Sequence, residues 1–153
     1  MQPQPKLLQW LFVHRFKIEI VMVLLVALSV MLKIAGIGWS DEALMISMTT
    51  LAGFYFVSAY FMVEMSSILM VVILKVFSIA SSICIIGLLF TILRLSGAQE
   101  MLMIGVTSMG LAAVGLVVQA TRAWNNNYLP LLIRVVALGV ISLNTLLAVI
   151  KPQ

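Results

Sequence analysis

The groups in this chain that could do acid–base, nucleophilic or metal chemistry are few, and most stand at the ends of apolar runs. The 153 residues hold five carboxylates, one histidine and one cysteine. The carboxylates are Glu19, Asp41, Glu42, Glu64 and Glu100. Two constellations join a base to acids across a short polar break: Lys33 with Asp41 and Glu42, and Arg94 with Glu100. One reading makes them two quasi-equivalent basic–acidic clusters that form an outer-face ligand site. The other is structural. A cation at a helix C-terminus and carboxylates in the first turn of the next helix both complement the helix dipole, and helix ends need such partners in any case.

Other chemistry is thinly represented. His14 is the single histidine and Cys84 the single cysteine, which is too few for a catalytic triad, a bis-histidine haem, an iron–sulfur cluster or a zinc site. No catalytic residue, cofactor or metal ligand is assigned. Cys84 lies within an apolar run and reads as a buried, inert thiol. Eleven methionines could serve as soft copper ligands. Their neighbours are Leu, Ile and Val, so adaptable packing is the reading adopted. Coupled transporters need ionisable groups deep in the bilayer, whereas all five acids here sit within a few residues of an expected helix end. Glu19 comes nearest, and is read as a headgroup-level partner of Arg15.

Lipid is the solvent that this composition requires. Hydrophobic residues make up 63% of the chain and charged residues 9%, with a mean hydropathy of +1.21. Soluble domains carry roughly 25% charged residues, and a small domain buries only about two-thirds of the surface its unfolded chain exposes. No polar stretch is long enough for a soluble domain. The formal charge of +4 comes from bases that flank apolar runs, a pattern of membrane anchoring and not of nucleic-acid binding.

The fold class expected is an all-α membrane protein with about five transmembrane helices. Apolar stretches occupy about 18–36, 43–63, 68–93, 101–121 and 129–150. Each approaches the roughly 20 residues that cross ~30 Å of hydrocarbon, and the runs are continuous where barrel strands would alternate. Two domains are expected: an N-terminal interfacial segment over 1–17 and a single transmembrane domain over 18–153. In the first, Trp10, His14, Arg15 and Lys17 are candidate interfacial anchors on a short surface helix. This segment also resembles a secretory signal, but the next run ends at Lys33 without a small-residue cleavage site, so it is expected to be retained. In the last stretch, Pro130 falls in the first turn, where proline is tolerated, and Arg134 can snorkel.

With the N-terminus inside, Lys6, Arg15, Lys17, Lys75, Arg122 and Arg134 lie on the inner side and Lys33, Arg94 and Lys151 on the outer. That asymmetry favours a cytoplasmic N-terminus. An internal repeat is also visible. Met31-Leu32-Lys33-Ile34-Ala35-Gly36 leads to Glu42-Ala43-Leu44-Met45-Ile46, and Ile92-Leu93-Arg94-Leu95-Ser96-Gly97 leads to Glu100-Met101-Leu102-Met103-Ile104. This alignment gives the first turn a three-residue insertion and assigns Gly36 and Gly97 as left-handed C-caps. The two hairpins, about 18–63 and 68–121, then form a parallel repeat about an axis along the membrane normal.

The first hairpin carries Val30-Met31-Leu32-Lys33-Ile34, a short aromatic-containing loop and Phe56-Val57-Ser58-Ala59-Tyr60-Phe61. Over about 45 residues it resembles the membrane hairpin of the stator subunit of the Bacteroidota gliding-motility and type IX secretion motor. It also looks like small tandem-hairpin membrane proteins of those bacteria. The stator family carries a glutamate within its second span, whereas this span has none before Glu64, and the family's long cytoplasmic tail has no counterpart. The resemblance therefore implies a bacterial inner membrane and a lineage, but not proton-driven motor activity.

Three functions follow in order. The first is a non-enzymatic membrane subunit that packs into or stabilises a larger inner-membrane complex, with lipid and a membrane-protein partner or further copies of itself as neighbours. The second is a small oligomeric transporter or channel, which requires a continuous polar stripe joining Thr49 or Thr50 with Ser81 and Thr107. The third is an enzyme acting on lipids through Asp41, Glu42 and Glu100.

Overall fold

In a computed structural model the chain is helical throughout its described elements, with no strand among the described residues. The structure describes residues 6–61, 68–122 and 128–150, with side chains left out of the description at 6–13, 15–16, 60–61, 70, 120, 122 and 128–132. The helices are α1 (Lys6–Ile34), α2 (Ser40–Phe61), α3 (Ile68–Ile92), α4 (Ala98–Arg122) and α5 (Tyr128–Ile150). Their lengths follow from continuous apolar runs, because a backbone in lipid must satisfy its own hydrogen bonds.

Four of these helices, α2 to α5, are long and apolar enough to cross a membrane. The last includes the 129–150 stretch, whose apolar core runs over Ile133–Ile150. α1 is not among the four over its described residues, where Lys17, Glu19 and Lys33 fall within one 18-residue stretch. α1 runs unbroken for 29 residues from Lys6, so the described part of the N-terminal segment continues through residue 17 into the following run as one helix. The residues between 6 and 34 include neither proline nor glycine, which leaves nothing to break the helix at that point.

Where the sequence reads as one transmembrane domain, the chain divides into two compact units, Met1–Leu51 and Ala52–Gln153, with the boundary inside α2. In the first unit α1 meets α2 through hydroxyl groups. Ser47 Oγ donates to Ser29 Oγ at 3.1 Å, and Ser29 Oγ lies 2.9 Å from its own-helix acceptor Leu25 O and 3.4 Å from Ala43 O across the crossing. Of the described α1 side chains only Glu19 and Ser29 are buried.

The second unit contains a three-helix group in which α3, α4 and α5 all touch one another. Buried α4 positions Leu102, Gly105, Met109, Ala112 and Leu116 alternate at spacings of three and four. That is the seam of a left-handed helix pair. Small residues on the seam allow close approach, as membrane helices require. The core gathers Leu74, Phe77, Ala80 and Cys84 of α3 against Met109 and Leu116 of α4 and Val135 of α5.

Candidate functional site

Both interhelical turns are built by backbone hydrogen bonds, and they have the same design. In the first, Ile37 N–H donates to Leu32 O at 3.2 Å and Gly36 N–H to Lys33 O at 3.0 Å. In the second, Leu95 N–H donates to Phe90 O at 2.8 Å and Arg94 N–H to Thr91 O at 3.2 Å. Each is a Schellman C-cap, whose pivot residue is left-handed. Gly36 fills the pivot with φ +72°, and Arg94 fills it with φ +55°. Three residues later Trp39 O accepts from Ala43 N–H, and Gly97 O accepts from Met101 N–H. These bonds open α2 and α4.

Three sequence expectations change as a result. The two turns are equally long, so the first contains no three-residue insertion. Gly97 (φ +87°) is at the start of α4, and it does not cap α3. Arg94 is not the counterpart of Lys33, because it occupies the position of Gly36. At equal distance from its pivot, α3 has Thr91 where α1 has Lys33. The glutamates do correspond: Glu42 and Glu100 each lie three residues beyond the residue that opens the helix.

Only the first basic–acidic cluster therefore forms an ion pair. Lys33 Nζ donates to Asp41 Oδ1 at 2.5 Å, with the two side chains 31% and 57% exposed. A pair this open contributes at most about 1 kcal/mol. Glu42 is exposed beside it and makes no ion pair among the described residues. Arg94 and Glu100 are both exposed, and neither has an ion pair among the described residues.

Below the first turn, α1 and α2 enclose an apolar groove of about 450 Å³, open along one side. Leu25, Leu28, Leu32 and Ile46 line it with Ser29, Ala43, Ser47 and Thr50, and Trp39 and Glu42 line its rim at the turn. The sequence reading missed this groove. A signal was present in Ala43 and Ser47, small residues one helical turn apart on the face that approaches Ser29.

The N-terminal anchors are only partly described. Trp10 and Arg15 lie on α1, but their side chains fall outside the described residues, as does Glu64. Lys17 is exposed, and His14 is half-buried and makes an interaction within the structure. Glu19, expected as a headgroup-level partner of Arg15, is 7% exposed and makes an interaction within the structure.

Cys84 is the meeting point of the three-helix group. A Cβ at Gly105 would come within 2.7 Å of Cys84 Sγ and 3.1 Å of its backbone nitrogen. The Cys84 thiol also neighbours Ser142 of α5, whose hydroxyl oxygen is fully buried and lacks a hydrogen bond of ordinary geometry. The contact is thus a loose one between two weak partners. Among the described residues no three His, Cys, Asp or Glu side chains come together as a metal site.

The polar side chains within the spans mostly bond to their own helices. Thr50, Ser58, Ser81, Thr91, Thr107, Asn144 and Thr145 each donate to a carbonyl one turn back. Ser81 is fully buried, while Thr107 is exposed on the outer side of α4. The two do not join in a stripe. The chain matches no protein-family model, no curated protein and no solved structure, so its functional reading rests on this geometry and on the membrane character of its helices.

Proposed function

We propose that the protein is a non-enzymatic integral membrane subunit that packs into, or stabilises, a larger complex of a bacterial inner membrane. The observation that carries this reading is a mismatch between charge and cover. Among the four candidate spans α3 has the highest mean hydropathy, 2.4, and the best cover by protein, with 56% of that span buried. α1 carries Lys17, Glu19 and Lys33 among its described side chains, yet it leaves Leu24, Leu25, Leu28 and Met31 more than half exposed. Lipid solvates a leucine-rich helix well, but a helix carrying charges is better placed against protein. A partner helix along α1 removes the mismatch.

The finer features of the reading fit together. α1 serves as a fifth span, with Lys33 snorkelling at one end. The excess of Lys and Arg on one side sets a cytoplasmic N-terminus. The α1–α2 and α3–α4 hairpins are two copies of one unit, a reading supported by their matching turns and by Leu44 and Leu102, both fully buried at corresponding positions. The hydroxyls within the spans cap carbonyls of their own helices, which favours a packing role over a conducting path.

The test is purification of the tagged chain from its native membrane in mild detergent or nanodiscs, with a photocrosslinker at Leu24 or Met31. A stoichiometric partner, crosslinked from α1 and resolved by cryo-EM, is the expected result. Lipid adducts alone, from a chain that remains single or only self-associates, would overturn the subunit reading. Flux assays in liposomes would then be the next step.

A further inference from the structure

The groove below the first turn shares Leu25 and Leu28 with the α1 face assigned above to a partner, whereas Leu24 and Met31 lie outside it, and the inference drawn from the groove does not depend on that partner. Its walls run along α1 from Met22 to Leu32 and along α2 from Trp39 to Thr50. Ten or eleven helical residues cover about 15 Å, which is the hydrocarbon depth of one leaflet, half of ~30 Å. The volume of about 450 Å³ lies within the roughly 300–1,000 Å³ of small-molecule pockets. A long, apolar trough open along one side suits a flexible chain better than a compact ligand.

The polar groups of the groove are divided by depth. Inside it, Ser29 bonds to Leu25 O, and Ser47 bonds to Ser29, so neither hydroxyl is left seeking a ligand. At the rim are Trp39, 60% exposed, and the Glu42 carboxylate. Indole rings favour the headgroup level. The turn beside the rim carries one cation, Lys33, and two carboxylates, Asp41 and Glu42, of which Glu42 lines the groove. Lys33 is already paired with Asp41, which leaves the negative charge of Glu42 uncompensated. An anionic headgroup is repelled there, whereas a headgroup ending in a cation is attracted.

We propose that the groove holds one acyl chain of a phospholipid with a primary-amine headgroup, and that Glu42 receives its ammonium. An ethanolamine ammonium has three N–H donors and forms charge-assisted hydrogen bonds with a carboxylate. A trimethylated choline has the charge but no N–H donor, and a phosphoglycerol has hydroxyl donors but no cationic charge. Lys33 Nζ uses one of its three donors on Asp41, so it has others to offer the lipid phosphate.

The test is native mass spectrometry of the purified full-length chain, titrated in micelles with ethanolamine, choline and glycerol phospholipids of identical acyl chains. The expected result is one retained ethanolamine lipid per chain, bound at least tenfold more tightly than the other two. E42Q is expected to bring the ethanolamine lipid down to the level of the choline lipid, and E42D, which keeps the carboxylate, to preserve the preference. T50F, which fills the deep end of the groove, is expected to weaken all three lipids while circular dichroism shows the helices intact. Equal retention of the three lipids by the natural chain would overturn the proposal, as would an unchanged preference in E42Q. Binding of glycerophosphoethanolamine, which has no acyl chain, as tightly as the whole lipid would also overturn it.

Discussion

The α1–α2 and α3–α4 hairpins turn in the same way but are held by different forces. At the first crossing, Ser29 and Ser47 meet through hydroxyls 3.1 Å apart. At the second, glycines let the helices touch directly. Gly87 faces Leu102 and Gly105 faces Cys84, each with backbone close to where a Cβ would sit. By distance from the two turns, Ser29 corresponds to Gly87 and Ser47 to Gly105. The same two positions thus carry a polar link in one hairpin and close contact in the other. A hydrogen bond holds a pair of helices at one point, whereas a glycine contact draws two surfaces together along their length. α3 is covered further by α5, whereas α1 has one face bare.

The largest effect that can break this comparison is expected at Gly105. G105A puts a methyl group 2.7 Å from the Cys84 sulfur and 3.1 Å from its backbone nitrogen, and should destabilise the protein by about 1–3 kcal/mol. Thermal unfolding in detergent would measure it. Adding C84A removes the sulfur contact but not the backbone contact, so rescue should be partial. Full rescue would mean that the helices are free to move apart, and that the seam is held more loosely than its geometry indicates.

The turns predict changes of opposite sign. G36A forces a Cβ into the left-handed region and should cost about 1 kcal/mol. R94G relieves the same strain at φ +55° and should stabilise by up to about 1 kcal/mol. The two variants, compared in one melting series, test whether Gly36 and Arg94 are equivalent. A loss of stability in R94G would show that the arginine side chain contributes more than its backbone costs.

Smaller effects belong to the polar links. S47A removes the hydroxyl bridge to Ser29 and should cost about 0.6 kcal/mol, the usual size for a hydrogen bond between membrane helices. K33M should cost at most about 1 kcal/mol, with a loss that shrinks as salt is added, because the Lys33–Asp41 pair is exposed. A melting difference for K33M that stays constant between low and high salt would show that Lys33 acts through packing and not through charge.

Much of the fold was legible in the sequence. The ends of α2 to α5 follow the apolar runs to within a few residues, as expected where every backbone group must bond inside its own segment, whereas α1 begins at Lys6, well before its apolar run. Of the candidate site, the Lys33, Asp41 and Glu42 cluster could be seen in advance. The matching role of Arg94 could not. Two alignments of the turns, differing by three residues, satisfied the same alphabet of small, apolar and basic residues. Only the hydrogen bonds that end α3 select between them.

By itself, the sequence determined that the chain is helical, that it holds runs long and apolar enough to cross a membrane, and where α2 to α5 start and stop. Those features depend on hydrophobicity and on backbone bonds within each helix, both of which are local. The tertiary structure decided which residue takes the left-handed pivot, how Gly105 and Cys84 meet, and that α1 leaves a groove beside α2. Each of these depends on distances between side chains from different helices. Nearly every residue in such spans is apolar, so the pattern along the chain shows little preference for one pairing over another. The choice falls to steric fit, which is expressed only once two helices touch.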